Sequence, residues 1–268
     1  MLLVTLGDLL LDVVVRLSQP LAPGADATAL TSVGPGGQAA NVAAWATALG
    51  AEARFIGKRG DDEAGALAAA GLAARGVEAC GPVVPGRTGV VVSLVAPDGD
   101  RTMASDRGVA PELAAGDLDP AWLAGCDHLH LSGYSLLRSP IDRAALRAAE
   151  LARAGGARVS VDLSAWPLIR DFGPPLFRAR LEELAPDVVF ANEDEERVLG
   201  GPLPGAAWVL KLGPRGARFD GLELPALPVE AVDSTGAGDA LAAGYLVGGP
   251  ALAIATAARC VAKMGAMP

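Results

Sequence analysis

The stretch Val232-Asp233-Ser234-Thr235-Gly236-Ala237-Gly238-Asp239-Ala240 runs from a polar turn through Gly-Ala-Gly to one aspartate, then into a small apolar run ending at Val247. The run predicts a helix, and the two glycines predict a tight turn feeding it. The first N–H groups of a helix lack partners within it and carry the positive end of its dipole. Such a turn holds a phosphate with backbone donors alone. A carboxylate beside a phosphate site repels the ligand unless it has work to do. The work that fits Asp239 is to take a proton from a hydroxyl attacking phosphorus. An acidic residue that merely suits a helix start is the other reading of the same nine residues.

The surrounding composition allows one large α/β domain, residues 1–268, with a sizeable core, since 51% of the residues are apolar. The net charge of −9 argues against a nucleic-acid-binding surface. Cys80, Cys126 and Cys260 show no paired spacing and read as reduced core residues of a cytoplasmic protein. His128 and His130 alternate on one predicted strand with no further ligand cluster nearby, so strand-face positions are expected. Met1 to Leu17 carries Asp8, Asp12 and Arg16 and reads as strand, not signal peptide. No apolar run reaches membrane-spanning length, so no membrane partner is expected. The chain has neither a Gly-x-x-x-x-Gly-Lys-Ser/Thr loop nor a well-placed Gly-x-Gly-x-x-Gly after its first strand, which argues against P-loop and dinucleotide-binding enzymes.

Taken in order, Leu2 to Leu6 predicts a buried strand ending in Gly7-Asp8, and Val13 to Leu17 a second. Ligands of open α/β sheets sit at the carboxyl ends of strands, which places Asp8 and Asp12 to meet a polar ligand. Pro20 to Val33 reads as a loop. Gly36-Gly37 then opens a helix carrying Gln38, Asn41, Val42, Trp45 and Leu49. Asp61 or Asp62 caps the next helix. Thr88 to Val95 and Arg101 to Ser105 flank Pro97-Asp98-Gly99-Asp100 as a hairpin foreign to an alternating strand–helix chain. Arg107 follows, with substrate contact and plain surface exposure both open. Beyond Pro111, strands at 127–132, 158–163, 188–191 and 208–212 alternate with helices, which predicts a parallel sheet covered on both faces.

The central stretch resembles the C-terminal signature of the ribokinase-like (PfkB) carbohydrate kinases, Asp-Thr-x-Gly-Ala-Gly-Asp, with Ser234 and Thr235 as a variation after the first aspartate. Further landmarks occur in order along nearly the whole chain. The resemblance implies a three-layer α/β/α sandwich with a mostly parallel central sheet and a small β-sheet lid formed by about 13–35 and 87–108. It implies phosphoryl transfer from MgATP to a primary hydroxyl of a small sugar. Asp239 would be the general base, with Gly236, Ala237 and Gly238 as the anion-binding backbone. Gly7-x-x-x-x-Asp12 and the pair Gly36-Gly37 followed by Asn41 match the family's sugar-binding positions, while Gln38 stands where the ribokinase branch has lysine. Asn192 and Glu195 match Asn-x-x-Glu, which implies a magnesium site. Lys211, Gly213 and Gly216 are the implied nucleotide contacts. Potassium dependence stays open, and an exposed lid edge suits a homodimer. Two other readings stay open from the sequence: a nucleoside kinase on this fold, and a catalytically silent sugar- or nucleotide-binding regulator.

Overall fold

A computed structural model describes residues 1–98 and 101–268. The chain opens with β1 (Leu2–Leu6), β2 (Leu10–Leu17), β3 (Ala29–Gly36), α1 (Gln38–Ala48) and β4 (Glu52–Ile56). Next come β5 (Arg59–Gly60), α2 (Glu63–Ala73), β6 (Glu78–Cys80), β7 (Val83–Val84), β8 (Thr88–Val95) and β9 (Arg101–Gly108). Short 3-10 turns at 110–123 lead to β10 (His128–Ser132), α3 (Ile141–Ala154), β11 (Arg158–Asp162), α4 (Trp166–Phe172) and α5 (Pro174–Leu184). The last third holds β12 (Val188–Asn192), α6 (Glu193–Leu199), β13 (Ala207–Lys211), β14 (Ala217–Phe219), β15 (Leu222–Leu224), α7 (Ala237–Gly248) and α8 (Pro250–Val261).

Nine strands form the main sheet in the order β15-β14-β13-β12-β11-β10-β1-β4-β6. All pairs from β13 to β6 are parallel, and the pairs β13–β14 and β14–β15 at the other edge are antiparallel. Parallel strands covered on both faces must be apolar on both. β1 (LLVTL) and β12 (VVFAN) meet that condition, with Leu3, Val4, Val189 and Phe190 fully buried. One face packs against α3, α5 and α6 through residues such as Leu131, Ile141, Phe177 and Leu199. The other packs against α1, α2, α7 and α8 through Phe55, Trp45, Leu72, Leu241 and Ile254. The result is the three-layer sandwich expected from the alternation.

A separate four-stranded sheet, β3-β2-β8-β9, lies apart from the main one. The loop expected over 20–33 gives way to strand from Ala29, which pairs antiparallel with β2 from Leu17↔Ala29 to Leu10↔Gly36. β3 is an edge strand, largely exposed through Val33, so its sequence never needed the hydrophobic alternation that marks half-buried strands. The predicted turn at Gly99-Asp100 lies outside the described residues. Asp62 caps α2, accepting from Gly65 N at 2.9 Å. His128 and His130 are buried strand-face residues, with His130 Nδ1 2.9 Å from Ser160 Oγ. No helix among the described residues is long and apolar enough to cross a membrane.

Candidate active site

The carboxyl ends of β1, β10, β11, β12 and β13 bring Asp8, Ser132, Asp162, Asn192 and Lys211 to one rim of the sheet. The turn before α7 is fixed first. Thr235 N and Oγ1 donate to Asp233 Oδ1 at 2.9 and 2.5 Å, and Gly265 N donates to Asp233 Oδ2 at 3.0 Å. Gly236 then takes φ +75°, a left-handed angle that a side chain resists, and α7 starts at Ala237. Ala237 N–H makes a long 3.3 Å bond back to Ser234 O, so the freest first-turn donors are those of Gly238 and Asp239.

Asp239 accepts a 2.7 Å hydrogen bond from Asn41 Nδ2. That bond ties the first turn of α7 to the first turn of α1, so two helix N-termini converge on one point. Burial raises the Asp239 carboxyl to about 7, helped by the charges of Asp162 and Asp12 and opposed by the Asn41 bond and Lys211. A carboxylate tuned to neutral pH suits proton transfer at that pH. Asn41, expected to hold sugar, thus also orients the base; its Oδ1 is buried without a partner among the described residues.

Lys211 Nζ lies 2.7 Å from both carboxylate oxygens of Asp162, which is fully buried. Burial alone would lower this ammonium, but Asp162 and Glu195 outweigh it and hold it above its ordinary value. Nζ would stand 3.4 Å from a Cβ at Gly238, which puts a fixed positive charge beside the anion-binding turn. Asp162 also accepts from Ser164 N at 3.2 Å, and Ser164 Oγ lies 2.5 Å from Gln38 Oε1. Ser164 has φ +71°, a strained angle for a residue with a side chain, held by these bonds.

Two cavities flank the turn. One, of about 220 Å³, lies between the small sheet and the main sheet; Asp8, Asp12, Gly37, Asn41, Arg107 and Asp239 are among its walls. The other, of about 460 Å³, is walled by Lys211, Gly213, Gly216, Gly238, Leu241 and Ala257 among others, and is mostly apolar. Gly36 lines neither, but a Cβ there would overlap the Asp12 carboxylate, so its bareness makes room for that group. Gly37, at φ +102°, would set a Cβ against the Asp8 carbonyl oxygen.

Asn192 and Glu195 line neither cavity. They close a capping box on α6: Glu195 N donates to Asn192 Oδ1 at 2.9 Å, and Asn192 N and Nδ2 donate to the Glu195 carboxylate at 2.8 and 2.9 Å. Burial raises the Glu195 carboxyl, with Lys211 opposing and Asp162 adding to the rise. Among the described residues no cluster of three or more acidic, histidine or cysteine side chains forms a ready metal cage. The donor set fits only an ion that keeps most of its own waters, as magnesium does.

Sequence reasoning missed Asp162 as the partner of Lys211 and Asp8 as the partner of Arg107. Their signal was position alone: an acidic residue at, or two residues beyond, the carboxyl end of a buried parallel strand.

Residues 2–267 match the pfkB family carbohydrate kinase. The chain belongs to this family. It is an ATP-dependent sugar kinase, a phosphotransferase with an alcohol group as acceptor. An ATP-dependent ribose-1-phosphate kinase of Halopiger xanaduensis is 33% identical over 250 residues, covering 88% of this chain and 80% of the relative. Fructokinase-1 of Zea mays is 31% identical over 274 residues, covering 91% and 82%. A candidate ribokinase II from E. coli, solved in complex with ATP and Mg2+, superposes with a TM-score of 0.83 at 26% identity, over 99% of this chain and 94% of that one.

Proposed function

We propose that this kinase moves the γ-phosphoryl group of MgATP onto a primary hydroxyl of a small sugar across the turn 236–239. One observation carries the reading: neighbouring residues of that turn face different cavities. Gly236 and Asp239 wall the smaller one, and Ala237 and Gly238 wall the larger. A hydroxyl in the first cavity and a nucleotide phosphate at the second would meet at the start of α7.

In this reading Asp12, Gly37 and Asn41 hold the sugar, and Asp239 takes the proton of the attacking hydroxyl. The new oxygen–phosphorus bond forms as the bond from the γ-phosphorus to the ADP oxygen breaks, and the proton stays on Asp239. The backbone N–H groups of Gly238 and Asp239, rather than the Ala237 N–H already bonded to Ser234 O, and the Lys211 ammonium stabilise the charge on the moving group. Gly213 and Gly216 flank the nucleotide, whose base fits the apolar walls supplied by α8. Asn192 and Glu195 would anchor magnesium through its waters, and the ion supplies charge screening on the phosphates. The small sheet excludes water, which would otherwise compete as acceptor. The smaller cavity sets carboxylates and an amide beside Leu10, Val91, Met103 and Tyr134, and its volume of about 220 Å³ suits a monosaccharide better than a bulkier nucleoside. Three free, buried cysteines and the need for ATP favour the cytoplasm. Leu30, Val33 and Met103, exposed on the small sheet, support a homodimer through its strands.

The test is ADP release from MgATP across ketoses, aldoses, sugar acids, phosphosugars and nucleosides. Running it in potassium and in tetramethylammonium salts reads any monovalent-cation requirement in the same assay. Turnover on a sugar is expected, and turnover confined to nucleosides would overturn the assignment.

A further inference from the structure

The smaller cavity holds one ion pair that the chemistry above does not use. Arg107, on β9 of the small sheet, sets Nε 2.5 Å and Nη2 3.0 Å from the two carboxylate oxygens of Asp8, which follows β1 of the main sheet. Nη2 also reaches the Tyr134 carbonyl at 3.4 Å, and the guanidinium lies 5.5 Å from the Tyr134 ring centroid. The two side chains are 19% and 8% exposed. A guanidinium gripped along one edge is a rigid fork with little freedom to turn. That edge is satisfied here, and Nη1 takes no partner among the described residues.

A lone guanidinium in a cavity would draw in an anion. This one arrives with its counter-ion, and the cavity as a whole is walled by Asp8, Asp12 and Asp239 against Arg107. We propose that the Asp8–Arg107 pair determines acceptor specificity: it admits uncharged polyhydroxylated sugars, offering Nη1 to a neutral oxygen, and rejects sugar phosphates and sugar acids. The inference rests on the assignment of this cavity to the acceptor. An anionic group entering it must either pull Arg107 away from Asp8, leaving a buried carboxylate unpaired, or sit among carboxylates with the guanidinium already engaged. A hydroxyl meets neither cost.

The test is titration calorimetry of D-fructose and D-ribose against fructose 6-phosphate and ribose 5-phosphate, with ADP release in parallel. It uses the wild-type chain, Asp8→Asn and Arg107→Gln. In the wild type the neutral member of a pair should bind at least about tenfold more tightly than its phosphate. Asp8→Asn should narrow or reverse that ratio by about tenfold, because the guanidinium loses its built-in counter-ion. Arg107→Gln should widen it, because Asp8 is left bare, and should raise KM for the neutral sugar more than it lowers kcat. General loosening of the site cannot move the ratio in opposite directions. Tighter binding of the phosphate by the wild type, a ratio unmoved in both variants, a ratio moved the same way in both, or binding of neither member of any pair would each overturn the proposal. If Asp8→Asn does not fold, the widening in Arg107→Gln decides. Turnover of a neutral sugar with no shift in the variants sinks this inference and leaves the kinase assignment standing. The expected shifts in binding without ADP release would do the reverse.

Discussion

The two cavities beside α7 are built on opposite plans. The larger, about 460 Å³, is walled mainly by Ala, Leu, Pro, Val and Ile side chains from the 226–231 segment and α8, with Gly213, Gly216 and Gly238 beside them. The smaller, about 220 Å³, draws Asp8, Asp12, Asn41, Arg107 and Asp239 from four separate elements and one loop. In the proposed reaction, the difference follows from what each cavity would recognise. A triphosphate can be held by backbone N–H groups and one fixed ammonium, so the side chains around a base need only be apolar. A sugar is read hydroxyl by hydroxyl, and each reading takes a placed polar group. Between the two, a single turn contributes to both, and Asp239 sits at the junction.

The contrast can be broken at the junction first. Asp239→Asn should lower kcat by about a hundredfold or more with both ligands still bound, checked by ADP release beside calorimetry. The same change should stabilise the protein. The Asp239 carboxyl is raised from 3.8 to about 7 in the fold. The folded state therefore holds a proton that the unfolded chain releases, and stability falls as pH rises from about 4 to about 7. At pH 8 the asparagine variant avoids that cost, on the order of 2–4 kcal/mol, and thermal unfolding should show a higher Tm.

The smaller cavity comes next. Gly37→Ala forces a side chain at φ +102° against the Asp8 carbonyl. It should cost about 1–3 kcal/mol in denaturant unfolding and raise acceptor KM well above any change in the KM for ATP. On the apolar side, Ala257→Trp fills the larger cavity from α8. It should raise the KM for ATP by roughly tenfold while acceptor binding, read by calorimetry without nucleotide, stays within about twofold. The smallest effect belongs to Asn41→Ala. Losing the 2.7 Å bond that steadies ionised Asp239 should move the acid limb of the rate profile up by about half to one pH unit.

The junction and the layers were legible in the sequence, and the partners were not. Gly236-Ala237-Gly238-Asp239 is contiguous, so the turn, the helix it opens and the aspartate at its start can be read without knowing the fold. The alternation of buried strands and helices likewise announces a parallel sheet, because burial on both faces leaves continuous apolar runs. β3 escaped because an exposed edge strand needs no such pattern, and Pro, Gly and Thr around it read as loop. The pairs Asp162–Lys211 and Asp8–Arg107 join residues 49 and 99 apart. Nothing local distinguishes them from solvated strand ends. Asn192 and Glu195 show the opposite case: their spacing of three was visible, and what it builds in the fold is first of all a helix cap.

The most direct measurement is the pH dependence of kcat/KM for the acceptor, in the wild type and for the residual rate of Asp239→Asn. If Asp239 is the base at the junction, the wild-type rate falls about tenfold per pH unit below a midpoint near 7, and the variant loses that limb. A wild-type limb near pH 4, or the same limb surviving in Asp239→Asn, would contradict the account.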